Sequence, residues 1–131
     1  MKARHLIHTA AIIVGYVASS ATHTASASVS HTCPYSLQQT FSAALRLLRI
    51  DNGFVVTERD PDAAYIMFLY ESRDGSARTS PGAIEMVPSE NSTRVIIRLP
   101  QMPRYHEDVL LNSLKRKLEA DYNSPTPKPN G

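Results

Sequence analysis

"GFVVTERDPDAAYIMFLYES", residues 53–72, holds the clearest alternation in the chain and a tight turn at its centre. Phe54 and Val56 alternate with Val55 and Thr57, the period of a half-buried strand. Asp60, Pro61 and Asp62 supply the turn, because proline fixes φ and aspartate bonds back to nearby backbone. "AYIMFLYE" follows and is apolar at both parities, which reads as an interior strand. Two strands joined by a short turn make a hairpin, so the sheet they start is antiparallel.

Upstream, "SLQQTFSAALRLLRIDNG" reads as a helix. Ser36 and Gln39 form a capping box, each side chain satisfying an orphan backbone N–H. Leu37, Phe41, Ala44, Leu45 and Leu48 make an apolar stripe, and Asn52 with Gly53 ends the helix in a left-handed turn. Downstream, Asp74 and Gly75 turn the chain again. "GAIEMV" points Ile84 and Met86 one way and Glu85 the other. "TRVIIRL" buries Val95, Ile97 and Leu99, with Arg94 and Arg98 opposite, and residues 88–92 connect the two runs. Pro100 and Pro103 stop the sheet, and a last helix runs to about Tyr122 on a stripe of Leu110, Leu111, Leu114 and Leu118. The order α-β-β-β-β-α predicts an α+β two-layer sandwich, helix-grip-like, with two helices on one face of an antiparallel sheet.

The N-terminus speaks to location. "MKARH" is cationic, "LIHTAAIIVGYVA" is mostly apolar, and Ala25-Ser26-Ala27 has the small-residue spacing of a signal-peptidase site. Residues 1–27 therefore read as a cleavable secretory signal, with Ala21 as the alternative cleavage point. The apolar run falls short of the ~20 residues that cross a bilayer. The expected product is periplasmic or secreted, with no membrane span after cleavage. Residues 28–34, "SVSHTCP", are small and polar and are expected to be flexible, and 123–131, "NSPTPKPNG", to be a disordered Pro-rich tail. The domain is then 35–122. Cys33 is preceded by Ser30, His31 and Thr32, unlike a lipoprotein signal. As the one cysteine it makes no internal disulfide, and it is read as incidental in a mobile segment.

The chain carries 14 basic and 12 acidic residues, but Lys2 and Arg4 leave with the signal, so the remainder balances 12 against 12. No electrostatic footprint for nucleic acid remains. Catalytic, metal-binding and cofactor-binding residues are all read as absent. His106, Glu107 and Asp108 are adjacent on a helix and do not face one another, and His106 is expected to point to solvent. Asp60 and Asp62 flank Pro61 and read as turn chemistry, with no later glutamate to complete a calcium loop.

One feature exceeds a simple core. If "AYIMFLY" is apolar on both sides, the sheet face away from the helices carries Val55, Tyr65, Met67, Leu69 and Ile96, bordered by Arg94 and Arg98. Such a face is either a surface for a partner or a second copy, or is covered by the loop at residues 72–81.

"AALRLLRIDNGFVVTERDPDAAYIMFLY" resembles the repeated domain of the BamC (NlpB) lipoproteins of the outer-membrane β-barrel assembly machinery. Gly53, Phe54, Val56, Arg59, Asp60, Tyr65 and Tyr70 are the matching positions, over some thirty residues. The resemblance implies a helix-grip fold, a place in the cell envelope and a non-enzymatic role. It implies no catalytic residues. This chain departs from that family in reading as one domain and in having no lipobox cysteine. The sequence thus leads to a small, non-catalytic, exported protein that acts through protein–protein contacts in the cell envelope, with an unknown envelope protein or itself as partner. A carrier or sensor of an apolar small ligand is the second reading, and a hydrolase-type enzyme the third.

Overall fold

The computed structural model describes residues 28–123. The expected signal, residues 1–27, and residues 124–131 of the expected tail lie outside the described residues. In chain order the elements are β1 (Val29–Cys33), α1 (Leu37–Arg46), a π-helical turn (Leu47–Asp51), β2 (Val55–Asp60), β3 (Tyr65–Glu71), β4 (Thr79–Pro88), β5 (Thr93–Arg98) and α2 (Arg104–Tyr122). The sheet order is β1-β5-β4-β3-β2, and every neighbouring pair is antiparallel. Both helices lie on one face, so the architecture is the α+β two-layer sandwich that the sequence predicts.

The sheet has one strand more than the sequence suggests. Residues 28–34 are not a flexible leader, because β1 pairs along its whole length with β5, from Val29 opposite Ile97 to Cys33 opposite Thr93. Val29 and Cys33 are buried in the core. The strand escapes notice in the sequence because Ser30, His31 and Thr32 are polar and its partner comes more than sixty residues later. Cys33 is accordingly a core side chain, and burial pushes its thiol above the ordinary value.

Local signals decide where α1 starts and stops. Ser36 Oγ accepts from Gln39 N–H at 3.2 Å, and Gln39 Oε1 accepts from Ser36 N–H at 3.1 Å, the reciprocal box read from the sequence. The helix widens into the π turn and ends where Asn52 N–H and Nδ2 both donate to the Leu47 carbonyl. Gly53 then takes φ +67°, a conformation that costs other residues about 1 kcal/mol or more. The buried stripe is displaced from the predicted one. Thr40, Ala43, Ala44, Leu47 and Leu48 are buried, whereas Leu37, Phe41 and Leu45 are only partly covered.

The core lies between the sheet and the helices. Ile66, Phe68, Ile84, Val95 and Ile97 face inward from the strands, and Ala44, Leu48, Leu114 and Leu118 come down on them. Phe68 stands opposite Gly82 in the β3–β4 register. A Cβ on Gly82 would lie 2.7 Å from both Phe68 Cζ and Leu99 Cδ2, so those two side chains occupy the room that a residue 82 side chain would take. At the far end of β5, the Leu99 N–H donates to Glu107 Oε1 at 2.8 Å. Glu107 is buried and ties the sheet to the first turn of α2. On the surface, Arg46 meets Asp121 at 2.7 Å and Lys117 meets Asp51 at 2.8 Å, joining the two helices.

Gly82→Val is expected to destabilise the fold by about 1–3 kcal/mol through overpacking against Phe68 and Leu99, read as a lowered midpoint in urea. The same change at Gly75, where open space surrounds the Cβ, meets no such clash and is limited by its φ of +83°.

Candidate functional site

The hairpin alternation aims Tyr65, Met67 and Leu69 of β3 away from the helices, while Ile66, Phe68 and Tyr70 are buried. In register, Val55 stands opposite Leu69, and Leu69 opposite Pro81. Met67 stands opposite Ala83. Val55 is 61% exposed, Leu69 42% and Met67 39%. Three large apolar side chains thus stand side by side on a rigid sheet. A groove of about 540 Å³ runs beside them along β2, lined by Arg49, Phe54, Val56, Thr57 and Arg59 among others.

The apolar residues expected on the outer face do not form one continuous patch. Arg98 donates to Glu85 Oε1 at 2.7 Å, and both side chains are more than 40% exposed. Because Ala83 pairs with Arg98 and Glu85 with Ile96, this ion pair separates the Val55–Met67–Leu69 patch from Ile96 and from the exposed Val87. Arg98 is therefore engaged rather than a free rim cation, while Arg94, beside Val87, remains exposed. Tyr65 donates its hydroxyl to Glu58 Oε1, a bond that raises the phenol pKa. A bulge between Val56 and Glu58 brings Glu58 onto the same face. Pro81, Ala83 and Val87 were missed in the sequence, although the parity of "GAIEMV" places Ala83 and Val87 with Glu85.

A second constellation lies at the start of α2. His106 does not point to solvent: it is 4% exposed. Its Nδ1 is 2.8 Å from the Tyr70 hydroxyl, and its Nε2 is 3.6 Å from Asp74 Oδ2. Tyr105 donates to the same Asp74 oxygen at 2.8 Å, and its ring lies over the imidazole at 3.9 Å between centroids. Asp74 Oδ1 accepts from the Ser76 hydroxyl at 2.5 Å and from its N–H at 3.0 Å. The Ser76 donors, then Tyr105, hold the Asp74 carboxyl well below the usual carboxylate range. Burial pushes the Tyr70 phenol up, which favours its protonated form. A raised phenol pKa is the opposite of what a tyrosinate nucleophile needs. With both ring nitrogens of His106 faced by protein groups, the cluster pins the β3–β4 loop to α2. Its members come from three places in the chain, which is why adjacency in the sequence did not reveal it.

The acids of the β2–β3 turn are elsewhere. Asp60 Oδ1 accepts from the N–H groups of Asp62 and Ala63, both at 2.9 Å, which is turn chemistry. Asp60 pairs with Tyr65, whereas His106 meets Tyr70, five residues and about 17 Å along β3. Asp60 and Asp62 therefore do not converge with His106. Among the described residues no group of histidine, cysteine or acidic side chains could hold a metal ion.

No family model matches the chain, and a comparison with curated proteins returns no match. Solved structures of similar shape exist. The structure of TTHA0849 from Thermus thermophilus is 11% identical, with 72% of this chain and 97% of that one covered and a TM-score of 0.45. The Mll3558 protein from Rhizobium loti is 18% identical over 70% and 94%, with a TM-score of 0.48. CalC from Micromonospora echinospora, a self-sacrificing resistance protein, is 11% identical over 72% and 94%, also at 0.48.

The sign of the Asp74 shift gives a pH dependence. A lowered carboxyl pKa contributes stability that is fully present above the unfolded value of about 3.9 and is lost as pH falls through the folded one. Asp74→Asn is expected to remove that acid-limb dependence and to speed amide exchange across residues 72–79, as followed by hydrogen exchange between pH 2 and pH 6. An unchanged acid limb in the variant would show that Asp74 does not anchor the loop.

Proposed function

We propose that this is a small, non-catalytic, exported protein that works through protein–protein contacts on the uncovered face of its sheet, in the cell envelope. The observation that carries the reading is the Val55–Leu69 cross-strand pair with Met67 beside it, three exposed apolar side chains on a regular sheet. Their flat presentation, with the Glu85–Arg98 pair on one side and Glu58 on the other, suits an apolar protein surface bordered by polar groups. Export rests on the N-terminal order of cationic start, apolar run and small-residue site. Among the described residues no helix is long and apolar enough to cross a membrane. The partial resemblance to the BamC lipoproteins agrees with an envelope role and lends it no particular partner.

The ligand-carrier reading draws less support. A helix-grip carrier needs a cavity between sheet and helices of about 300 Å³ or more. On the helix side, the cavity bounded by Phe54, Tyr70, Val109 and Leu110 among others measures about 110 Å³, and the one between β1 and α2 about 270 Å³, so both fall short of that size. An enzymatic reading draws on the Tyr70–His106–Asp74 cluster, whose histidine is almost wholly enclosed.

Met67→Asp places a charge in the middle of the patch on a solvent-facing position and is expected to leave stability within about 0.5 kcal/mol. Cross-linking in the envelope fraction of the native host should yield a defined adduct with wild type and lose it with Met67→Asp and with Leu69→Asp. An adduct that survives both substitutions removes the patch from consideration. Export is read separately: N-terminal sequencing of the mature protein should begin at Ser28, and a chain starting at Met1 would overturn it.

A further inference from the structure

The two edges of the sheet differ in how they are guarded. Edge strands invite pairing with another chain, and natural proteins block this with charges, bulges and prolines. β2 has such guards: Glu58, Arg59 and Asp60 stand in succession, and the register slips at a bulge between Val56 and Glu58. β1 has none within Val29–Cys33, runs in unbroken register with β5, and has no strand on its other side among the described residues.

His31 marks the opening. By strand alternation it faces the helix side, between Val29 and Cys33, which are both buried, yet His31 itself is exposed. It lines a cavity of about 270 Å³ under α2, together with Cys33, Lys115, Leu118 and Glu119. An additional strand laid along β1 would close that cavity from its open side.

We infer that β1 pairs antiparallel with β1 of a second copy about a two-fold axis at His31, joining two sheets into one of ten strands. The sequence of β1 is complementary to itself in that register, as an isologous contact requires. Ser30 falls opposite Thr32 twice on the outer face, where hydroxyl pairs are favourable across strands. Val29 falls opposite Cys33 twice on the inner face, where both side chains are already buried within each copy. His31 falls opposite its counterpart, beside a cavity that Lys115 and Glu119 line together in each copy. This contact uses the sheet edge and leaves the Val55–Met67–Leu69 patch free, so it stands apart from the proposed function.

The full chain is expected to sediment as a dimer. Ser30→Lys with Thr32→Lys should raise the dissociation constant at least about tenfold, with circular dichroism unchanged. Under mild oxidation His31→Cys should form a disulfide-linked dimer, because directly opposed residues have Cα atoms ~4.5–5.5 Å apart. Ser30→Cys should not link through position 30, since its opposite number is Thr32. A chain that sediments as a monomer up to about millimolar concentration overturns the proposal. So does a dimer that ignores the lysines and dissolves with Met67→Asp, which would assign self-association to the outer face.

Discussion

Phe68 lies over a strand that offers it no side chain. Gly82, directly across the β3–β4 pair, leaves a space that Phe68 and Leu99 fill together. The layer above depends on that arrangement. With the aromatic ring down on the sheet, Leu48 and Ala44 of the first helical segment and Leu114 and Leu118 of α2 lie fully buried against the strands. The centre of the interior is thereby filled by packed side chains.

The polar cluster at the start of α2 follows from the same layer. Tyr70 continues the inward parity of Ile66 and Phe68, so its hydroxyl arrives beside the helix at a depth where a partner is needed. His106 provides it, and Asp74, already fixed by Ser76, closes the other side of the ring. The hydrogen bond from Leu99 to Glu107 fixes the neighbouring turn. Four consecutive residues, Arg104 to Glu107, thus begin the helix and anchor two separate chain segments, the loop after β3 and the end of β5.

Much of this was legible in the residues and some was not, for physical reasons. The helix limits were written locally, in Ser36 with Gln39 and in Asn52 with Gly53. The hairpin turns were written in Asp60-Pro61-Asp62 and Asp74-Gly75, and the sidedness of β3 in its alternation. Where a contact is made by residues distant in sequence, the local pattern was silent or misleading. β1 is a strand only because β5 holds it. His106 looked exposed because its neighbours in sequence are polar, while its neighbours in space, Tyr70 and Asp74, come from some thirty residues earlier. The apolar outer patch was visible by parity, yet the Glu85–Arg98 pair that interrupts it spans two strands and could not be read from either alone.

The position of β1 also governs the order in which the molecule can assemble. Residue 29 finds its partner at residue 97, so the first strand of the domain to leave the ribosome is among the last to be satisfied. Closing so long a loop is slow, since its entropy must be met before the ladder rewards it. A nascent chain therefore leaves this edge open until β5 has followed, and the sheet gains its fifth strand late.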